Sequence, residues 1–125
     1  MSLGDYFEKA KGLGVLATAD SDGRVGSAIY GRPHVMDEET IAFIMADRLM
    51  HHNLQSNPYA SYLFKEDGEK YVGKRLYLTK IKEEKNSELI EKIRRRKYAE
   101  LEGKDEYLVY FHVDKVLPLK GDGKK

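Results

Sequence analysis

The sequence has no cysteine, no tryptophan and only three prolines. Without cysteine there is no disulfide scaffold, thiolate metal site, iron–sulfur cluster or cysteine nucleophile. No apolar run approaches the ~20 residues needed to span a bilayer, so no membrane partner is expected. The opening residues, MSLGDYFEKAKG, lack a basic start followed by an apolar stretch and do not read as a secretory signal; a cytoplasmic location is expected. An excess of one charge is missing too. Lys+Arg 22 against Asp+Glu 21 leaves a formal +1, so the chain exerts no global pull on nucleic acid.

What is present is a chain of 125 residues that is 34% charged and 41% hydrophobic. That length suits one domain with its own core. The expected domain covers residues 5–117, and residues 118–125, rich in glycine and lysine, read as a flexible tail.

Local patterns place the elements. Residues 5–11 read as a short helix with Tyr6, Phe7 and Ala10 on one side, and 13–19 (LGVLATA) as a buried strand. The turn DSDG leads into a strand over 24–35, which Pro33 should end, bend or place at an edge. Residues 40–46 (TIAFIMA) form a strand apolar throughout, and Asp47 is expected to cap a helix from 48 to 56, stopped by Asn57-Pro58. Strands follow at 59–64 and 71–83. A helix capped by Asn86 is expected to run to Tyr98, and a last strand covers 107–117. The expectation is mainly β: six strands, mostly antiparallel because the turns are short, closed or nearly closed into a barrel with short helices.

Several clusters carry candidate chemistry. Arg48, His51 and His52 stand at a helix start, where free amides and the helix dipole favour an anion; two surface histidines on a polar helix start are the plainer alternative. Adjacent histidines point different ways on a helix, and no third ligand lies at a familiar spacing, so zinc is not expected. Tyr30, Arg32 and His34 share one strand face and could hold an aromatic, charged ligand, unless that face is simply solvated. Lys74 and Arg75 point to opposite faces of a strand. The run Arg94-Arg95-Arg96-Lys97 reads as a solvated helix face with charge favourable to the dipole; nucleic-acid contact is a weaker alternative. No nucleophile–base–acid set is visible. Any hard chemistry would belong to a cofactor.

Taken together, the segments "GVLATADSDGRVGSAIYGRPHV", "TIAFIMADRLMHHNLQSNPYASYLF" and "GKRLYLTKI" resemble the FMN-binding split β-barrel proteins related to pyridoxamine 5′-phosphate oxidase. The resemblance spans about residues 5–117 and is most specific over 41–64. It implies a six-stranded antiparallel split barrel that forms a homodimer, with FMN at the interface and an unknown small-molecule or protein redox partner. It places Arg48, His51, His52 and Asn53 in the phosphate region, with Met50 beside them. The ring and ribityl chain would lie along residues 27–32 and 44–46, which include Ser27, Ile29, Tyr30, Gly31, Arg32, Ile44, Met45 and Ala46. Lys74 falls near a frequent flavin contact. Family members often carry a basic pair, or a lysine followed by a hydroxyl residue, after the third strand; here Leu49 and Met50 follow Arg48. No additional pyridoxal-phosphate-binding tail is recognisable, so oxidation of pyridoxamine phosphate is not expected. The function implied is that of an FMN flavoprotein, an oxidoreductase or electron carrier. Deazaflavin or haem on the same fold, or a non-catalytic protein with a vestigial pocket, are the alternatives.

Overall fold

The protein's structure, a computed structural model, describes residues 2–95 and 103–121. The expected helix end at Tyr98, residues Arg96 and Lys97 of the basic run, and the last four residues of the expected tail lie outside the described residues.

Helix α1 (Leu3–Lys9) starts at Ser2, whose Oγ accepts from the Asp5 amide at 3.1 Å. Strands β1 (Gly12–Ala19) and β2 (Val25–Ile29) form an antiparallel hairpin with Val15 opposite Ile29 and Ala19 opposite Val25. Its turn is built as the composition predicts. The Asp20 carboxylate accepts from the amides of Asp22 and Arg24, and Gly23 takes a φ of +83°.

The single strand expected over 24–35 is broken in two. β2 ends at Ile29, and β3 is the short pair His34–Val35. Pro33 lacks a ladder donor. The carbonyls of the four residues between the strands are satisfied by side chains instead. Tyr62 Oη donates to the carbonyls of Tyr30 and Gly31, at 3.1 and 3.0 Å. Arg95 donates to those of Arg32 and Pro33, at 2.8 and 3.1 Å.

Next come β4 (Thr40–Ala46), α2 (Leu49–Ser56), β5 (Tyr59–Glu66), β6 (Gly73–Lys85), α3 (Glu88–Ile93) and β7 (Glu106–Pro118). Among the described residues seven strands form one antiparallel sheet in the order β2-β1-β5-β6-β7-β4-β3. The seventh strand is β3, produced by the break. The sheet's two edges, β2 and β3, are joined by only residues 30–33. At ~3.3–3.6 Å per residue, that link forces the edges close together. The sheet therefore curls into a barrel, left unzipped along one seam.

The barrel interior follows the period of two along each strand. Leu16, Phe43, Met45, Tyr62, Leu76 and Phe111 point inward, each at most 2% exposed. The helices close the two ends. Phe7 of α1 meets Phe64, which pairs with Gly14 near the start of β1. In α2, Asn53 bonds Thr18 near the end of β1, and Thr18 bonds Met50. α3 covers the outer face of β4 and β7, where Ile90, Ala42 and Leu108 form a second buried cluster. This explains why β4 is apolar on both faces.

Two caps differ from expectation. Asp47 does not cap α2: the N-cap is Arg48, with no side-chain bond to the first turn, while Asp47 turns to His51 Nδ1 at 3.2 Å. Asn86 does not cap α3 either. Ser87 does, its Oγ accepting from the Leu89 amide. Asn86, at a φ of +51°, ties the end of β6 to Asp105 and Glu106.

Candidate functional site

The seam opens into a cleft of about 510 Å³, within the ~300–1,000 Å³ common for small-molecule sites. Ile29, Tyr30, Gly31 and Arg32 form one wall, and Ile44 and Ala46 of β4 face them. These are six of the eight residues that the resemblance places along the flavin ring and ribityl chain. The fold brings them together because β3 pairs only with Ile41 and Ala42, so the rest of β4 borders the seam across from β2. Tyr30 packs edge-on against Phe43, ring centroids 5.8 Å apart. Burial pushes its phenol pKa up, and the charge of Arg48 opposes that push. Arg48 follows the cleft residue Ala46 by two positions, so the start of α2 succeeds this wall of the cleft in the chain.

The remaining predicted residues spread out. Ser27 is exposed on the outer face of β2, and Met45 is fully buried in the barrel. Met50 and Asn53 are buried at the α2 end of the core, where Asn53 Nδ2 donates to Thr18 Oγ1 at 3.1 Å. Lys74 sits 4.7 Å above the Tyr6 ring, beside α1. His52 is exposed. His51 is 5% exposed and stacks on Tyr107 at 3.8 Å, with Nδ1 on Asp47 and Nε2 on Glu83 at 2.9 Å. Its two ring nitrogens are occupied by carboxylates, so His51 pins α2 to β6 and β7. At the helix start this leaves Arg48, His52 and the uncapped amides of the first turn for an anion.

Sequence reading misses part of the cleft. Arg94 and Arg95 line it, but α3 ends at Ile93 and the chain becomes extended at Arg94. Both side chains therefore line the cleft off the helix, Arg94 with its side chain buried and Arg95 still exposed. Arg94, with a side chain 9% exposed, pairs with Glu106 and Glu91. Nothing in the run itself signals that the helix stops before it. Arg32 was legible as a site residue but carries a second duty. Its Nη1 donates to the carbonyls of Phe7 and Ala10, at 2.8 and 3.0 Å, closing the C-terminal end of α1.

His34, half-buried at the cleft, has its pKa held down at about 4, first by burial and then by the charges of Arg95 and Arg32. Between pH 6.5 and 4 the unfolded chain takes up a proton that the folded chain refuses, so stability falls as pH drops through that window. Glu83 acts at lower pH. Burial alone would raise it, but hydrogen bonds from Gln55, Lys80 and His51 outweigh that and hold it near 2. Its contribution is complete above pH 4.5 and is lost as pH falls toward 2. With solvent screening discounted, each group accounts for about 1–2 kcal/mol. Urea midpoints are expected to drop between pH 7 and 4.5. His34→Gln should flatten that segment; an unchanged slope would refute the assignment.

No family model matches the chain, and no curated protein matches it in sequence. Solved structures do match it in shape. An FMN-binding protein from Syntrophomonas wolfei subsp. wolfei aligns with a TM-score of 0.78 at 16% identity, over 96% of this chain and 85% of that one. An F420 reductase aligns at 0.72 and 14% identity, over 90% of this chain and 94% of its own. General stress protein 26 from Bacillus anthracis str. Sterne aligns at 0.67 and 13% identity, over 93% and 90%. At these identities the likeness is one of fold: the chain has the split β-barrel fold of pyridoxamine 5′-phosphate oxidase-like proteins.

Proposed function

We propose that the protein is a dimeric flavoprotein that holds FMN in the seam cleft and serves as an oxidoreductase or electron carrier. The observation that carries this reading is the convergence of Ile29, Tyr30, Gly31, Arg32, Ile44 and Ala46 on one cleft, with Arg48 at the uncapped start of α2 two residues beyond Ala46. The residues suit a flavin. Ile29, Tyr30, Ile44 and Ala46 offer flat, largely apolar walls. Arg48, His52 and the first-turn amides of α2 offer donors to a phosphate. When bound, FMN supplies hydride and single-electron chemistry. The chain itself binds the cofactor, orients it and shields it from water.

A second copy of the chain would complete the site. The outer faces of β1, β2 and β5 expose Val25 (74%), Ile29 (73%), Leu13 (52%) and Leu63 (40%). Ser27 and Ala17 lie opposite each other among them. Contiguous apolar surface of this kind marks an interaction site. Leu13 and Ile29 also line the cleft, so a partner seated on this face would wall it. The shape match to an FMN-binding protein supports FMN, while the match to an F420 reductase makes deazaflavin the second reading.

Gly31 provides a clean test. A Cβ added there meets nothing within 4 Å, so Gly31→Trp should fill the cleft without straining the backbone. FMN titration, followed by flavin fluorescence, should saturate near one FMN per chain in the native protein and weaken at least tenfold in Gly31→Trp, with melting unchanged. Equal affinity in both proteins, or no saturation in the native one, would reject the reading. Saturation by deazaflavin but not by FMN would replace the cofactor and keep the cleft.

A further inference from the structure

Arg32, Arg95 and His34 meet in the cleft from three separate places: the linker after β2, the segment after α3, and β3. The two guanidiniums lie close enough that each other's charge is felt, and both act on His34. Among the described residues no carboxylate comes within 4 Å of the charged nitrogens of Arg32 or Arg95 to form an ion pair. Neighbouring Arg94 contrasts with them, since Glu106 and Glu91 balance it. The other charged groups about the cluster are Glu8 of α1, near Arg95, and Lys11 and Asp67 on the cleft lining.

Both guanidiniums are held in place by main-chain carbonyls and keep donors to spare. Arg32 uses only Nη1, on the end of α1, leaving Nε and Nη2 without a protein partner among the described residues. Arg95 uses Nη1 and Nη2 on the carbonyls of Arg32 and Pro33, and its Nε has no protein partner among the described residues. Arg32 is half-buried and Arg95 is exposed, so water solvates both until an anion takes its place and gains charge-assisted hydrogen bonds from the pair. The walls beside them, Phe43 and Tyr30, are aromatic.

We infer that this end of the cleft is a carboxylate subsite, in which Arg32, Arg95 and His34 hold the anionic end of a small, planar, apolar acid. This deepens the flavoprotein reading and rests on it only for the claim that the acid is the substrate; binding of the acid itself does not need the flavin. The arrangement also ties binding to a proton. Burial is the main reason the His34 imidazole stays neutral and the two guanidiniums add to it; an anion beside the ring offsets their share, so binding should raise the ring's titration midpoint.

The test uses benzoate as probe and benzamide as its uncharged counterpart, titrated into the full chain at pH 7 and low salt, with and without FMN. Binding is read from the His34 ring and arginine Nε–H signals by NMR. Benzoate should bind saturably and at least tenfold more tightly than benzamide, and move the His34 midpoint upward by half a unit or more. Arg95→Met should weaken benzoate at least tenfold, and Arg95→Lys, which keeps the charge, by less. Because Arg95 also holds residues 32–33, near-ultraviolet circular dichroism of both variants is read alongside, and His34→Gln serves as an independent probe that should weaken benzoate at least threefold. Equal binding of benzoate and benzamide, or a static His34 signal, would overturn the subsite. If benzoate binds without any FMN binding, the subsite stands and the flavin reading fails. If FMN binds and benzoate does not, the subsite alone fails.

Discussion

Gly14→Ala is expected to destabilise the protein by about 3 kcal/mol, a sum of overpacking and broken buried hydrogen bonds. An added Cβ would lie 1.9 Å from Tyr62 Oη and 2.5 Å from the Tyr30 carbonyl oxygen. Neither can move freely. Tyr62 is fully buried, and its hydroxyl holds the carbonyls of Tyr30 and Gly31. The Gly14 carbonyl in turn accepts from the Tyr30 amide at 3.0 Å. β1, Tyr62 and the 30–31 backbone thus form one closed junction beneath the cleft. For a domain of this size the melting temperature should fall by about 10 °C. Tyr62→Phe removes the clashing oxygen, so Gly14→Ala should cost less in that background, a coupling measurable by a double-mutant cycle. Additive losses, or a Gly14→Ala cost below about 0.5 kcal/mol, would show that the junction is not as described.

The second large effect belongs to the adjacent histidines, which the structure separates by role. His51→Ala should cost about 3 kcal/mol, because it opens a cavity against Tyr107 and takes from Glu83 one of its buried partners. His52 is exposed, so His52→Ala should alter stability by less than about 0.5 kcal/mol. On the flavoprotein reading, the same change should weaken FMN several-fold. Chemical denaturation of both variants checks the first contrast, and FMN titration the second. Equal destabilisation by the two substitutions would contradict the placement of α2.

The sequence makes the strands readable where composition and period agree. β4 matches the expected 40–46 residue for residue, because a two-faced apolar run allows few other readings, and Asn57-Pro58 marks the end of α2 where it is observed. The break at 30–33 was signalled only by Pro33. The donors that stabilise it come from Tyr62 and Arg95, distant in sequence and invisible to a local pattern. The caps failed for a similar reason: Asp47 is drawn to His51 on the next turn, and Ser87 competes with Asn86 one residue away. At the cleft, Tyr30, Arg32 and Ala46 were legible through the resemblance; strand alternation also grouped Tyr30 with Arg32, but both lie in the linker between β2 and β3. His51 was not, since the Glu83 that occupies its ring nitrogen lies 32 residues further along the chain. Arg95 was read as a solvated helix position; it is exposed, but nothing local shows that α3 stops at Ile93 and leaves it lining the cleft.

The most direct test of the central claim, that the seam cleft and the start of α2 form one flavin site, is to follow backbone amide signals by ¹H–¹⁵N NMR while FMN is added. The account predicts that the amides of residues 29–32, 44–46 and 48–52 shift together and saturate at one FMN per chain. Shifts that cluster elsewhere on the barrel, or none that saturate, would contradict it.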